Sequence, residues 1–322
     1  MKRFHYAAWF LPNLALLFFL APVRADEPTT GSQQPEVKKA TTSKFLRIVK
    51  DDDGPTALET AIVRYRPARG NADLTVDLIG VVHLGEKSYY RKLNKVFEQY
   101  DSLLYELVAP QGTKPAKGEG SGNLLRIVQK MISVALDLES QIEHIDYTKK
   151  NFVHADLSPA EMAEAIKKRG DTGLTLALSV AADLLRQQNL KSGEKPGSDA
   201  ELPDLASLVT DPMALSKIKR MLASQLAAID APGGGLGPTL NTILVEDRNK
   251  AAMKVLKKEI DRGQKKIAIF YGAAHMPDFE KRLRDDLGLV PVSTTWVHAW
   301  DLRLRERGIE ELLFRVLRDT LK

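Results

Sequence analysis

The chain has 322 residues, of which 43% are hydrophobic and 28% are charged, and this composition excludes wholesale disorder and a coiled coil. The formal net charge is +5, but three positive charges lie in the first 25 residues, which contain no acid. The remainder is therefore close to neutral, which disfavours a nucleic-acid partner. The chain contains no cysteine, which excludes disulfides, thiolate metal sites and cysteine nucleophiles.

The first 25 residues have the pattern of a cleavable signal peptide. Two positive charges precede an apolar stretch over 7–21, and the small residues Val23 and Ala25 stand where a signal peptidase reads them. The apolar stretch is shorter than the roughly 20 residues that a spanning helix needs, which disfavours an uncleaved anchor. We therefore expect export to the periplasm or the extracellular space, a disordered leader over 26–44 and no stable transmembrane segment in the mature chain.

Residues 45–322 are predicted to form one α/β domain. The segments 45–50 and 58–66 are predicted to pair as antiparallel strands. Residues 74–82 are a nearly unbroken β-branched and aliphatic run, which is typical of a strand covered on both faces. A helical pattern follows, and residues 102–108 return as a strand. Because strand, helix and strand at these lengths form a βαβ unit, the sequence predicts a mixed, partly parallel central sheet.

The middle of the chain, about 110–230, is predicted to be a mainly helical insertion that acts as a lid. Ser158, Pro159 and Glu161 form a capping-box pattern, which predicts a helix beginning there after a short strand at 151–156. The other helices predicted in the insertion run from Leu124 to Ala135, over 172–189 and over 212–229. The elements predicted after it are a helix over 239–262, a strand over 265–271, a helix over 277–287, a strand over 289–299 and a terminal helix from Ile309 to Leu317.

Two matching motifs carry the most information about function. Gly80 and His83 end the first central strand as Gly-Val-Val-His, and Gly272 and His275 end a later strand as Gly-Ala-Ala-His. The carboxyl ends of strands are where open α/β sheets build their sites. Two neutral imidazoles that meet at one point suit a first-row divalent ion, so we expect both histidines to be metal ligands. The alternative is that each histidine caps its strand and forms only local hydrogen bonds.

Glu106 is the carboxylate expected to complete this site, because it ends the second strand of the βαβ unit. It is either a metal ligand beside His83 and His275 or the general base, and the sequence does not separate these roles. Arg248, at the start of a long helix, is a second candidate catalytic residue, because its guanidinium can hold a substrate carboxylate or an oxyanion. The alternative for Arg248 is a surface arginine paired with Glu246 or a neighbouring acid.

His154 and Asp156 alternate onto one face of the strand at 151–156 and are weaker candidates. Both stand just before the N-terminus of the helix that the capping box predicts. We expect them either to orient a metal ligand or, as the simpler alternative, to satisfy each other at the strand end.

The order of these elements resembles the TraB/PrgY/GumN family, which includes the TIKI metalloproteases. The pattern is a Gly-x-x-His after a strand, a glutamate at a strand end, an arginine in a helix and a second Gly-x-x-His, here Gly80/His83, Glu106, Arg248 and Gly272/His275. The resemblance covers roughly residues 58–300 and is strongest from Tyr271 to Pro277. It implies a hydrolase, in particular a peptidase, that depends on Mn²⁺ or Co²⁺. Wider relatives include erythromycin-esterase-like and haem-binding ChaN-like proteins, so the resemblance leaves the substrate open.

Together these patterns predict an exported metal-dependent hydrolase that acts on a peptide or a small-molecule amide or ester, with Mn²⁺, Co²⁺ or Zn²⁺ as its cofactor. The alternative is an exported protein that binds a peptide or haem in the same cleft without turnover. A third interpretation is a structural envelope protein in which the two motifs coincide by chance, and it predicts no metal uptake.

Overall fold

The computed structural model describes residues 44–69, 73–114, 133–169, 210–228 and 241–306. Its strands are β1 (Leu46–Asp51), β2 (Gly54–Pro67), β3 (Thr75–Val81), β4 (Leu84–Gly85), β5 (Ser102–Tyr105), β6 (Glu139–Ser140), β7 (Phe152–His154), β8 (Lys266–Gly272) and β9 (Leu289–Asp301). Its helices are α1 (Lys87–Phe97), α2 (Gln141–His144), α3 (Pro159–Lys168), α4 (Ala214–Ala227), α5 (Asp247–Asp261) and α6 (Met276–Leu287). A π-helical turn (Thr242–Glu246) leads into α5, and a 3-10 turn (Ala273–His275) leads into α6.

One half of the central sheet is antiparallel. β1 and β2 form the predicted hairpin, and β2 begins at Gly54, whose φ of 108° lies in the left-handed region that glycine adopts without steric cost. β2 is long enough to pair with β1 and β3 along one edge and with β9 along the other. This half extends the sheet away from the strands that carry the two Gly-x-x-His motifs.

The other half of the sheet is parallel, in the order β3-β8-β5-β7. β3 and β8 are in register from Thr75 opposite Lys266 to Val81 opposite Gly272, so both Gly-x-x-His segments leave the sheet at the same level. Every residue of these two strands after the first is buried, which accounts for their nearly unbroken apolar runs. The exception in β3 is Asp77, which pairs with Arg64. The predicted α/β class with a mixed, partly parallel sheet is confirmed.

Helices cover both faces of this sheet. On one face α1 buries Tyr89, Leu93 and Phe97 in the first core cluster, and on the other α5 and α6 bury Leu256 and Phe279 in the second. Full burial of one such side chain contributes about 1.5–3 kcal/mol of transfer free energy. Apolar packing therefore fixes the strands, and the polar side chains of interest stand where the strands end.

Two predicted helix boundaries are confirmed. At the start of α3, Ser158 Oγ accepts a hydrogen bond from the Glu161 N–H, and the Glu161 carboxylate accepts one from the Ser158 N–H. α6 ends at Leu287, as predicted, and Gly288 follows with a φ of 62°, in the left-handed region that glycine favours. Both signals depend on contacts within a few residues, which is why the sequence is sufficient to predict them.

The insertion predicted at 110–230 is partly built into the sheet. β7 pairs in parallel with β5 at the edge of the parallel half, and α4 packs against β1. β6 pairs with β4 in a separate two-stranded sheet. A role as a lid stays a prediction. The signal segment, nearly all of the leader, the helix predicted over 172–189, the terminal helix and most of the helix predicted from Leu124 lie outside the described residues. Within those residues no helix has the length and apolar character needed to cross a membrane.

Candidate functional site

Four of the sequence-predicted residues stand at one edge of the parallel half of the sheet. His83 follows β3, Glu106 follows β5, Asp156 follows β7, and His275 lies in the turn after β8. Because these strands are parallel neighbours, their carboxyl ends lie side by side, about 4.8 Å from one strand to the next. Arg248 reaches the same edge from the first turn of α5.

Gly272 marks the point on which three of these side chains converge. A Cβ atom built on Gly272 lies 3.3 Å from Nε2 of His83, 3.4 Å from Oε2 of Glu106 and 3.7 Å from Cδ2 of His275. Nε2 of His275 lies 3.6 Å from Oε1 of Glu106. The backbone of Gly272, with φ −50° and ψ 141°, suits any residue, so a larger residue there is restricted only by these side chains. His83, Glu106 and His275 are called the Gly272 triad, and their role as metal ligands stays a prediction.

Glu106 is buried and accepts a hydrogen bond at each carboxylate oxygen. Oε1 accepts from Nη2 of Arg248 at 2.7 Å, and Oε2 accepts from the Gly272 N–H at 2.8 Å. Burial raises the pKa of this carboxyl group, but Arg248, His275, His83 and the Gly272 N–H together lower it more, so the pKa lies well below its ordinary value. Glu106 is therefore ionised at neutral pH and is a weak base.

Arg248 is only 2% exposed, and its guanidinium is bonded to other groups of the protein. Nε and Nη2 donate to the two oxygens of Asp156 at 3.0 and 2.6 Å, Nη2 also donates to Glu106, and Nη1 donates to the Leu244 carbonyl at 3.3 Å. Burial lowers the pKa of Arg248, but the two carboxylates raise it more. Arg248 is therefore not the surface arginine weighed as an alternative, and it holds Glu106 and Asp156 together.

His154 and Asp156 do not pair with each other, so the simpler alternative weighed for them is wrong. Asp156 binds Arg248 and reaches the Gly272 triad through it. His154 Nε2 instead lies 2.6 Å from the Leu107 carbonyl, and its buried Nδ1 has no hydrogen-bond partner. The His154 ring packs beside Tyr105, with 5.6 Å between the ring centroids. The structure thus brings Asp156, but not His154, into the charged network.

Each histidine of the triad has a carboxamide neighbour that was not predicted from the sequence. Nδ1 of His83 lies 2.9 Å from Oε1 of Gln141, and Nδ1 of His275 lies 2.7 Å from Oδ1 of Asn249. Burial is the main cause that lowers the pKa of His275 to about 4, so its ring is neutral at pH 7. The sequence could have indicated Asn249, because it lies on the same helix face as the buried Leu256. A polar side chain on a buried face needs hydrogen-bond partners. No comparable signal marks Gln141.

A second group of ligand-type side chains, the Glu139 cluster, consists of Glu139, Glu143 and His144. Their ligand atoms all lie within 4.8 Å of one another. In the part of the chain that the structure describes, no other group meets this limit, so the side chains of the Gly272 triad have to draw together to bind one ion. Glu143 is exposed, and the ring of His144 stacks on Tyr90. The Glu139 cluster is a competing cation site that experiments have to separate from the triad.

No protein-family model, curated protein or solved structure matches this chain. These comparisons neither support nor oppose the resemblance to the TraB/PrgY/GumN family. That resemblance rests on the motifs and their order, and membership stays a prediction.

Proposed function

We propose that the protein is an exported hydrolase that depends on a divalent metal ion and cleaves peptide bonds or small amides and esters. The observation that carries this proposal is the convergence of the Gly272 triad at the ends of three neighbouring parallel strands. The order of the two Gly-x-x-His segments, Glu106 and Arg248 supports the further proposal that the chain belongs to the TraB/PrgY/GumN family. Export is supported by the signal pattern of the first 25 residues.

The side chains of the triad fit a metal ion by type, and Gly272 leaves room between them for an ion once they draw together. Two imidazoles and a carboxylate suit Mn²⁺, Co²⁺ and Zn²⁺. Gly272 keeps the space between them free of a side chain, since a Cβ atom there lies within 3.4 Å of both His83 Nε2 and Glu106 Oε2. His83, His275 and Glu106 are the residues that would hold the ion. When bound, such an ion supplies Lewis acidity that polarises a carbonyl group or activates water.

Glu106 fits the role of a ligand better than that of a general base. A general base is most effective when its pKa lies near the working pH, whereas the pKa of Glu106 is far below neutrality. Its two oxygens accept hydrogen bonds from Arg248 and Gly272, which hold the carboxylate in one orientation and leave a lone pair on each oxygen for a cation. Glu106 is therefore proposed as the third ligand, with no proton transfer assigned to it.

Arg248 is proposed to act through Glu106. Its guanidinium keeps that carboxylate ionised and oriented, and Asp156 neutralises the guanidinium from the other side. The direct role expected from the sequence, binding of a substrate carboxylate or an oxyanion, has less support. The reason is that Arg248 is 2% exposed and donates to Asp156, Glu106 and Leu244.

Turnover by metal-reloaded protein tests the proposed function. The protein is stripped with a chelator, reloaded separately with Mn²⁺, Co²⁺ or Zn²⁺, and assayed on fluorogenic peptides, amides and esters. We expect turnover that requires the ion, disappears in His83→Ala and persists in Glu143→Gln, which alters only the Glu139 cluster. Metal binding without turnover of any substrate would contradict a hydrolase. It would favour the binding-protein alternative, and an absorption band on haem titration would identify the haem-binding form.

Export is tested separately from catalysis. The N-terminal sequence of protein recovered from outside the cytoplasm is expected to begin at or near Asp26. Exported protein that still begins at Met1 would contradict cleavage of the signal peptide.

A further inference from the structure

His275 stands between two hydrogen-bond acceptors, one beside each ring nitrogen. Nδ1 lies 2.7 Å from Oδ1 of Asn249, and Nε2 lies 3.6 Å from Oε1 of Glu106. A neutral imidazole carries a single N–H, so one ring nitrogen presents a proton to its neighbouring acceptor and the other presents a lone pair. The position of that one proton decides whether Nε2 is free to bind a cation on the side of Glu106.

The amide group of Asn249 has only one orientation that satisfies its neighbours. Nδ2 donates to the backbone carbonyl of His275 at 3.0 Å and to Oδ2 of Asp278 at 2.9 Å. Asp278 is itself paired with Arg282 through two hydrogen bonds. A carbonyl and a carboxylate accept hydrogen bonds and do not donate them, so exchanging the amide nitrogen and oxygen would place an acceptor against two acceptors. Oδ1 of Asn249 is therefore fixed toward Nδ1 of His275.

Burial makes this hydrogen-bonding arrangement obligatory for the imidazole ring. Asn249 is fully buried and His275 is 5% exposed, so solvent water does not replace a missing partner. Oδ1 of Asn249 is an acceptor only, and it is satisfied when Nδ1 of His275 carries the proton. Because Asn249 also donates to the backbone carbonyl of His275, one side chain fixes both the position of the residue and the tautomer of its ring.

We infer that Asn249 is a positioning residue that holds the proton of His275 on Nδ1 and leaves Nε2 as a lone pair facing Glu106. The functional meaning of this inference rests on the proposed metal site, whereas its chemical content concerns the ring of His275 alone. The same argument does not extend to His83. Nε2 of its partner Gln141 bonds to the hydroxyl of Tyr147, which is able to donate or accept, so that amide has two acceptable orientations.

Long-range ¹H–¹⁵N NMR on chelator-treated, full-length protein measures the tautomer directly, at a pH where His275 is neutral. We expect the proton on Nδ1 in the wild-type protein. In Asn249→Leu the competing acceptor, Glu106, is the one that remains, so the proton is expected to move to Nε2. Asn249→Asp keeps an oxygen acceptor beside Nδ1, so we expect the proton to stay on Nδ1. We also expect this variant to be less stable, because its second oxygen faces the His275 carbonyl and the Asp278 carboxylate.

Metal affinity gives a second readout on the same proteins. Titration with Mn²⁺ is expected to show affinity about 10–100-fold weaker in Asn249→Leu, because the proton on Nε2 has to be displaced and the ring is no longer held. Asn249→Asp is expected to weaken Mn²⁺ binding less than Asn249→Leu does, because it keeps the acceptor beside Nδ1 and loses only the donor to the His275 carbonyl. A loss of packing alone would weaken Mn²⁺ binding without moving the proton, so the NMR readout separates positioning from a merely structural role.

The outcomes distinguish this inference from the proposed function. A wild-type protein whose His275 carries the proton on Nε2 overturns the inference, and so does an Asn249→Leu protein that keeps it on Nδ1. The wild-type spectrum decides the question even where a variant does not fold. A proton that is on Nδ1 and moves as expected supports the inference even if no protein binds Mn²⁺, and in that case the proposed function fails.

Discussion

The two Gly-x-x-His segments are alike in sequence but differ in what their glycines make room for. A Cβ atom on Gly80 would meet Cγ of Met276 at 3.4 Å and atoms of Ala273 at 3.6 Å, which are packing contacts with the second motif. A Cβ atom on Gly272 would instead meet the side chains of the triad. The first glycine therefore lets the two strand ends pack together, and the second leaves space between the candidate ligands.

The two histidines differ in a related way. His275 is buried and linked through Asn249 to α5, whereas His83 is partly exposed and linked through Gln141 to the short α2. The first motif therefore lies on the accessible side of the site and the second on its buried side. Similar motifs have different surroundings because the elements packed against them differ, and each of the following changes tests one side of this difference.

The largest expected effect is a loss of stability on the buried side of the site, where the positive charge of Arg248 balances two carboxylates. Arg248→Met leaves Asp156 and Glu106 buried without a cationic partner. Removing one partner of a buried ion pair typically costs about 3–5 kcal/mol, so we expect the free energy of unfolding to fall by that amount in urea titrations.

Lys281→Met is the control for this change. Lys281 lies on α6 and pairs with Asp285, and the two side chains are 75% and 58% exposed. An exposed pair contributes about 0–1 kcal/mol, so this variant is expected to remain near the wild-type stability. Equal losses of unfolding free energy in the two variants would show that Arg248 contributes no more to stability than an exposed ion pair does.

The next effect concerns the pH dependence of stability in metal-free protein. Burial is the main cause that lowers the pKa of folded His275 to about 4 from its ordinary 6.5. Between pH 6.5 and pH 4 this histidine is protonated in the unfolded chain but stays neutral in the folded protein, so the free energy of unfolding falls as the pH falls. From pH 7 to pH 5 the titration of His275 is expected to lower the free energy of unfolding by about 2 kcal/mol.

Urea unfolding in the presence of a chelator measures this effect at pH 7 and pH 5. The wild-type protein is expected to lose about 2 kcal/mol more than His275→Gln over this interval, since the variant has no imidazole to titrate at that position. The same loss in both proteins would contradict a buried, neutral His275.

The smallest expected effect compares the two glycines directly. Gly272→Ala places a methyl group 3.3 Å from His83 Nε2, so we expect Mn²⁺ affinity to fall by about tenfold while the fold is retained. Gly80→Ala places its methyl group against Met276, whose flexible side chain is able to adjust, and is expected to change the affinity little. Calorimetric titration of both variants with Mn²⁺ measures the contrast, and equal affinities in the two variants would remove the distinction between the motifs.

The parts of the fold that follow from local patterns were predictable from the sequence. β3 and β8 are nearly unbroken apolar runs, the capping box marks the start of α3, and the chain order of strands and helices predicts their parallel pairing. Placement of His83, Glu106 and His275 at one sheet edge follows from the same pattern, because parallel strands end on the same side. These predictions needed only residue type and spacing.

The contacts that define the site in detail were not predictable in this way. Arg248 finds its partners Asp156 and Glu106 at separations of 92 and 142 residues, and no periodic pattern encodes such pairs. The pairing of β7 with β5 likewise joins the insertion to the core through a strand of three residues, which is too short to show a period. Gln141 reaches His83 from the short α2 for a similar reason.

Metal content per chain tests the central claim most directly. Wild-type protein, His83→Ala, His275→Ala and Glu143→Gln are equilibrated with Mn²⁺, passed through a desalting column and analysed by elemental mass spectrometry, with circular dichroism confirming that each variant is folded. We predict about one ion per chain in the wild-type protein and in Glu143→Gln, and none in either histidine variant. Metal retained by both histidine variants and lost from Glu143→Gln would place the ion at the Glu139 cluster and contradict a shared site for His83 and His275.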